Sequence, residues 1–400
     1  MIEACRCLSL VVFSLVALAG TARSERPLAH DAYIWQRVWT PAVDEAVAQS
    51  SDLVRDWRVL AAQSNDAGRL LPTNVDLATL KASGRPAVLV VRIDGQLPSL
   101  DKKALLADID SVLGNWRRSG IQIAGLEIDH DCATERLLGY AEFLYVLRSH
   151  LGPGIRLSLT MLPTWLNSPD LDAVLAPADE VVLQVHAILN PRSGLFDPKT
   201  AMRWVDEFAR RSSKPFRVSL PTYGVRVSWG ADGHLTAVEG ETPLLAGGAS
   251  ADELMASPLD VATFLVSLKR DPPAHLVGVA WFRLPVETDR RAWSFATWRA
   301  VVRGETPEDR VSVRVEKGDV PGLAYLVLDN AGNLDGNLPT LVELPVGCEA
   351  ADGINGYALV HDRSTLTLER RQAGMLPGHA RLAIGWMRCA SMQETVHAAF

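Results

Sequence analysis

Three carboxylates occupy every second position in Glu127-Ile128-Asp129-His130-Asp131, inside the apolar run that begins at Ile123. Alternate residues of a strand share one face, so the three acids line up on one side of a greasy element. His130 points to the opposite face. Buried like charges repel and are costly to desolvate. Their proximity pushes one carboxyl's pKa up and leaves another ionised, which is what acid catalysis near neutral pH requires. Cleavage of a glycosidic bond uses such a pair: a protonated acid at the leaving oxygen, and a second group that stabilises the positive sugar. The structural alternative is a salt-bridged interior, with Arg92 and Asp94 as partners from a neighbouring strand. A third reading is a Mg²⁺ or Ca²⁺ site built from Glu127, Asp129, Asp131 and Asp94. Two-residue steps of about 6.6 Å spread the acids along the strand, so only adjacent ones could share an ion. We assign no metal and no cofactor.

The elements that must position these acids follow a regular order. Strand-like runs fall at 33–39, 57–62, 87–94, 123–131, 155–162, 180–187, 216–223 and 276–284. Helical stretches are expected at 101–119, 134–150, 198–212, 251–269 and 289–302. Strands that are apolar on both faces and alternate with helices argue for a parallel sheet under a helical cover. Eight repeats over some 250 residues suit a closed (β/α)8 TIM barrel at 30–304. The alternative, a doubly wound open sheet, wants a Gly-rich first turn, and GxGxxG is absent. Between the seventh strand and its helix, Gly230-Ala231-Asp232-Gly233 predicts a hairpin on the C-terminal face of the barrel. Beyond a linker at 304–309, short alternating runs at 311–316, 324–329, 340–346, 356–360, 364–369 and 380–387 read as a small all-β sandwich-like accessory domain, 311–400.

Composition bounds the partners. The chain has 400 residues, 48% of them hydrophobic and 22% charged, so it can bury a full core. The net charge of −7 and the lack of any Lys/Arg cluster argue against nucleic acid. Residues 8–20 (LSLVVFSLVALAG) are apolar but short for a membrane span, and Gly20-Thr21-Ala22 offers small residues for cleavage. This predicts a signal peptide at 1–22, export to the periplasm or the extracellular space, and no membrane span after signal removal. Of the five cysteines, Cys132, Cys348 and Cys389 would then remain. Cys348 and Cys389 share the C-terminal region and are the expected disulfide, with Cys132 left over. GxSxG, HExxH and P-loop patterns are absent, so serine esterase, zincin and nucleotide readings have no support.

The run Ala124-Gly125-Leu126-Glu127-Ile128-Asp129-His130-Asp131 resembles the DGxDxDxE signature of family 18 glycoside hydrolases, the chitinase-like barrels. Val218-Ser219-Leu220-Pro221-Thr222-Tyr223-Gly224 is similar to that family's GxPxYG. Gly278-Val279-Ala280-Trp281 resembles its GVMxW, with the Trp one position early. Gln184-Val185-His186 stands where the family carries a Met/Gln-x-Tyr pair. The resemblance spans about residues 87–300. It implies a TIM barrel and a polysaccharide or oligosaccharide substrate. It also implies Asp131 as proton donor, Asp129 as the assisting carboxylate and Glu127 as a charge tuner. Two departures stand out. Asp131 replaces the donor Glu and is about 1.5 Å shorter, and misplacement on that scale costs on the order of 10²-fold. His186 replaces the Tyr that would support the intermediate.

The whole chain looks closer to a family of exported bacterial proteins described as a domain of unknown function. That likeness rests on His30 through Pro41, on the Asp129-x-Asp131-Cys132 run and on Leu162-Pro163-Thr164-Trp165-Leu166.

Further residues are expected to shape a sugar site. His186 and Gln184 share one strand face, and Tyr223 ends its strand at the rim. Trp281 could floor the sugar and Arg283 could pair with the carboxylates. Trp165 follows the fifth strand at the mouth. Each has a structural alternative in core packing or rim anchoring. The expected function is that of a glycoside hydrolase-like, carbohydrate-active protein. The alternative is a barrel that binds glycans, or serves the cell envelope, without catalysis.

Overall fold

The computed structural model describes residues 28–186, 194–239, 250–289, 291–362, 365–389 and 396–400. The expected signal peptide lies outside them. The chain runs β1 (Ala29–Ile34), α1 (Pro41–Ser50), β2 (Trp57–Ser64), β3 (Leu70–Pro72), α2 (Leu77–Ala82), β4 (Ala87–Ile93), α3 (Lys102–Ser119) and β5 (Ile123–His130). It continues with α4 (Leu137–Leu151), β6 (Leu157–Met161), α5 (Leu171–Leu175), β7 (Glu180–Gln184), α6 (Pro198–Arg211) and β8 (Phe216–Pro221). Then come β9 (Gly224–Trp229), β10 (Leu235–Glu239), β11 (Ser250–Met255), α7 (Pro258–Arg270), β12 (Leu276–Phe282) and α8 (Phe295–Arg303).

Eight of these strands are parallel staves in the order β1-β12-β8-β7-β6-β5-β4-β2, and the pairing of β1 with β2 closes the ring. This is a closed (β/α)8 barrel, and β3 is a short antiparallel addition outside β2. The two-residue period divides each stave between two cores. Leu126, Ile128, Val279 and Trp281 face the helices and join the large outer core. Tyr33, Trp35, Leu60, Val90, Val182 and Ala280 fill the barrel interior, with Phe282 packed against them. Gly278 has to be glycine: a Cβ there would overlap the Arg217 guanidinium and the Ala29 carbonyl of the adjoining stave.

Three expected starts move by four residues or more. The first stave is Ala29–Ile34, four residues earlier than expected at its start. His30 and Asp31 are polar and hid the strand, but their partners are Trp281 and Arg58, far along the chain. The helix expected from 251 starts at Pro258, because Ser257 caps it by accepting from the Asp260 N–H. The residues before it form β11, antiparallel to β9. Likewise α8 begins only after Ser294, whose side chain accepts from the Thr297 N–H. The expected hairpin is present as β9 and β10, turning through Gly230–Gly233.

The C-terminal strands are β13 (Val311–Lys317), β14 (Leu323–Asn330), β15 (Gly336–Asn337), β16 (Leu341–Glu343) and β17 (Cys348–Gly353). They continue with β18 (Tyr357–Asp362), β19 (Thr365–Arg370), β20 (Met375–Leu376), β21 (Arg381–Cys389) and β22 (His397–Ala399). Two four-stranded sheets, β13-β14-β21-β17 and β18-β19-β16-β22, enclose a separate core that includes Leu326, Leu328, Val342, Leu368 and Ile384. Cys348 and Cys389 lie opposite each other on β17 and β21 and form a disulfide, while Cys132 is buried and free. The sheets are tied to the barrel at α8. Leu334 joins the outer core, and Asp335 exchanges hydrogen bonds of 2.8 Å with Ser294 and Thr297. No helix of the described residues is long and apolar enough to cross a membrane.

Candidate active site

The row of acids on β5 does point into the barrel, and its rungs have different environments. Glu127, the lowest, is sealed. Tyr33 Oη donates to it at 2.6 Å, Ser158 Oγ at 2.9 Å, and Arg58 forms an ion pair with it. Arg58 also reaches Asp31 at 3.0 Å and Glu180 at 2.5 Å, and Arg217 Nε lies 3.1 Å from both of those acids. All five charged groups are buried. Burial pushes the Glu127 carboxyl up against the pull of Arg58. Burial would also raise Glu180, but Arg58 and Arg217 outweigh it and hold that carboxyl at about 2. This layer is an ion cluster at the floor of the barrel, away from the open end.

Asp129 is one step higher and 2% exposed. Arg92 Nη1 donates to its Oδ2 at 2.5 Å and Thr160 Oγ1 to its Oδ1 at 2.7 Å, so both oxygens are committed. The strand register sets this arrangement, since Arg92 pairs with Asp129 across β4 and β5.

Asp131 stands just past the end of β5, with a third of its side chain exposed. Its Oδ2 is 3.5 Å from the same Arg92 nitrogen, and its buried Oδ1 has no hydrogen-bond partner among the described residues. Two contacts to one nitrogen hold the Asp129 and Asp131 Oδ2 atoms within about 6 Å of each other, nearer the spacing of retaining than of inverting glycosidase carboxyls. Burial, then the Asp129 charge, push the Asp131 carboxyl up to about 7 in spite of Arg92. Gly95 lets the loop after β4 pack onto this rung, because a Cβ there would overlap the Asp131 carbonyl.

A cavity of about 150 Å³ opens at this level, at the C-terminal ends of the staves. Asp129, Asp131, Gln184, His186 and Tyr223 all line it, so five of the expected residues come together. His186 is buried, with Nε2 3.1 Å from Ser219 Oγ and Nδ1 3.3 Å from Tyr223 Oη. Burial lowers its pKa to about 4, so it is neutral at pH 7. Its ring stacks on Phe282 with centroids 5.6 Å apart.

Five other expected residues lie elsewhere. Glu127 belongs to the floor cluster. Trp281 is fully buried on the outer face, where its Nε1 donates to His30 Nδ1 at 3.0 Å and its ring meets Trp293 and Trp298. One residue of offset reverses the face of a strand side chain, and Phe282 takes the cavity position instead. Trp165 is fully buried and donates to the Cys132 carbonyl at 3.1 Å. Arg283 turns to Asp289 at 2.9 Å, not to the acids. Asp94 is exposed and accepts from the Gln96 N–H in its own loop. His130 faces the opposite way from the acids, as its parity requires. It lines a crevice of about 350 Å³ against α4, with Nδ1 3.1 Å from the Ile93 carbonyl.

Trp35, Tyr33, Thr160, Ser219 and Phe282 line the cavity without being among the expected site residues, and Arg92, expected only as a charge partner, lines it too. Thr160 and Ser219 had a visible signal: each is a polar residue at inward parity in an apolar strand.

Fold and site together define a TIM barrel whose open end carries an acid-lined cavity. The chain belongs to the family described as Domain of unknown function (DUF3142), whose model matches residues 83–287. The model of a second domain of unknown function (DUF8456) matches residues 313–390. No curated protein matches the sequence. Among solved structures, a chitinase from Chromobacterium violaceum is similar at 15% identity, covering 69% of this chain and 98% of that one, with a TM-score of 0.49. The spore cortex-lytic enzyme SleL from Bacillus cereus is similar at 13% identity, over 70% of this chain and 75% of that one, with a TM-score of 0.47. A class V chitinase mutant from Nicotiana tobaccum in complex with NAG4 is similar at 13% identity, over 69% and 98% of the two chains, with a TM-score of 0.47.

Proposed function

We propose that the cavity is a glycan site in which Asp131 acts as the proton donor of a glycoside hydrolase-like reaction. The observation that carries this reading is the Asp131 carboxyl, held up to about 7 and facing a cavity at the catalytic end of a TIM barrel. In the reaction, Asp131 gives its proton to the glycosidic oxygen, the bond to the anomeric carbon breaks, and positive charge develops on the sugar ring. Asp129 supplies fixed negative charge beside that centre, since Arg92 and Thr160 hold both its oxygens. Water adds to the anomeric carbon and its proton returns to Asp131. Both ring nitrogens of neutral His186 are engaged, by Ser219 Oγ and Tyr223 Oη, so it positions those two hydroxyls at the cavity wall. Glu127 tunes the charge from below without touching the substrate.

Export to the periplasm or the extracellular space is part of this proposal. The apolar run at 8–20 supports it, and so does the Cys348–Cys389 disulfide, a bond that suits an oxidising compartment. The second reading, glycan binding without cleavage, is favoured by the shorter arm of Asp131 and its contact with Arg92.

The test is a panel of chitin oligosaccharides, peptidoglycan and exopolysaccharides offered to the purified protein across pH. Asp131 must be protonated to act, so turnover is expected to be highest on the acid side and to fall as pH rises through about 7. Saturable binding without any product selects the second reading. A rate that keeps climbing above pH 8 removes Asp131 as the acid.

A further inference from the structure

We infer that the cavity is built for an acidic sugar, a uronic acid residue whose carboxylate docks on Arg92. This rests on the glycan reading above and narrows it to one substrate class. A neutral sugar can be held by aromatic faces and hydroxyl networks, and a cation adds nothing specific to it. Yet Arg92 lines this cavity. Its Nη1 serves Asp129 and Asp131 together. Its Nε and Nη2 make no hydrogen bond to any described residue, although a third of the side chain is exposed. These two atoms form one edge of the guanidinium plane, the edge that receives a carboxylate through two parallel N–H···O bonds. The plane is held in place, because Cζ lies 5.8 Å from the centroid of the Trp35 ring and the opposite side is tied to the acids. The site therefore offers a preorganised fork rather than a mobile charge. The carboxylate of the sugar and the proton donor then lie on opposite sides of one guanidinium.

The test compares ligands that differ only in that charge. Glucuronate, galacturonate and trigalacturonate are titrated into the full chain by calorimetry, alongside their methyl esters and the neutral parent sugars. At least one acid is expected to bind about 10-fold or more tighter than its own ester. It should also move the Arg92 Nε–H resonance in a ¹⁵N spectrum, and the ester should not. Arg92→Gln should abolish the preference, and Arg92→Lys should retain part of it by charge without the fork. Equal binding of acid and ester by the unaltered protein overturns the inference, as does no binding of either. Acid-selective binding with no cleavage of any glycan leaves this site standing and removes the hydrolase. Cleavage of a neutral glycan with no acid preference does the reverse.

Discussion

Asp131→Asn is expected to lower glycan cleavage by roughly 10²- to 10⁴-fold, the range a single general acid supplies, while ligand binding and the fold are retained. The side chains are nearly isosteric, and Asp131 Oδ1 has no hydrogen-bond partner among the described residues to lose. The amide cannot give up a proton to the leaving oxygen, so the loss falls on kcat rather than on binding. Asp129→Asn is a useful contrast. It removes the negative charge beside Asp131 and leaves the Arg92 guanidinium facing an amide, so it is expected to lower the Asp131 pKa as well as the rate. A variant at Asp131 that keeps full turnover would assign the proton donor elsewhere.

Arg58→Met should destabilise the barrel by about 3–5 kcal/mol, which is the usual cost of removing one partner from a buried ion pair. Arg58 touches three carboxylates, and among the described residues the floor cluster holds one other buried guanidinium, that of Arg217. Without it, Asp31, Glu127 and Glu180 face one another with Arg217 alone inside and the half-exposed Arg55 at 3.5 Å from Asp31. Glu127→Gln is predicted to be much milder. It removes one of three acids and leaves two acids against two guanidiniums, with Tyr33 and Ser158 still able to bond the amide. Urea unfolding of the two variants decides the point. Equal midpoints would mean that the cluster is not charge-limited as its contacts imply, and a loss below 1 kcal/mol for Arg58→Met would contradict it outright.

The eight staves are legible because barrel strands are apolar on both faces and their helices are amphipathic, so each stave announces itself locally. The first stave starts earlier than its apolar pattern suggests, for the opposite reason. His30 and Asp31 are tolerated inside only because Trp281, Arg58 and Arg217 meet them there, and that information lies up to some 250 positions away. The floor cluster was partly readable: Arg58, Ser158, Glu180 and Arg217 interrupt apolar strands at inward parity, as Glu127 does. What sequence could not supply was the division of the acids. Glu127 and Asp131 carry the same charge and share one face, yet one is sealed under Arg58 and the other meets the cavity. Only the height along the stave separates them. Trp281 shows how sharp parity is. A Trp one position early belongs to the helix-facing core, and Phe282 lines the cavity in its place. Trp165 follows a stave, which points to the mouth, but the short turn Pro163–Trp165 folds its ring back onto Tyr140.

The proton-donor role of Asp131 requires that it be a protonated acid near neutral pH, and a ¹³C titration of its carboxyl, assigned by its loss in Asp131→Asn, measures that directly. The predicted midpoint is about 7, raised by burial and by the Asp129 charge. A midpoint at the ordinary carboxylate value near 3.8 would contradict it, and with it the role of Asp131 as proton donor.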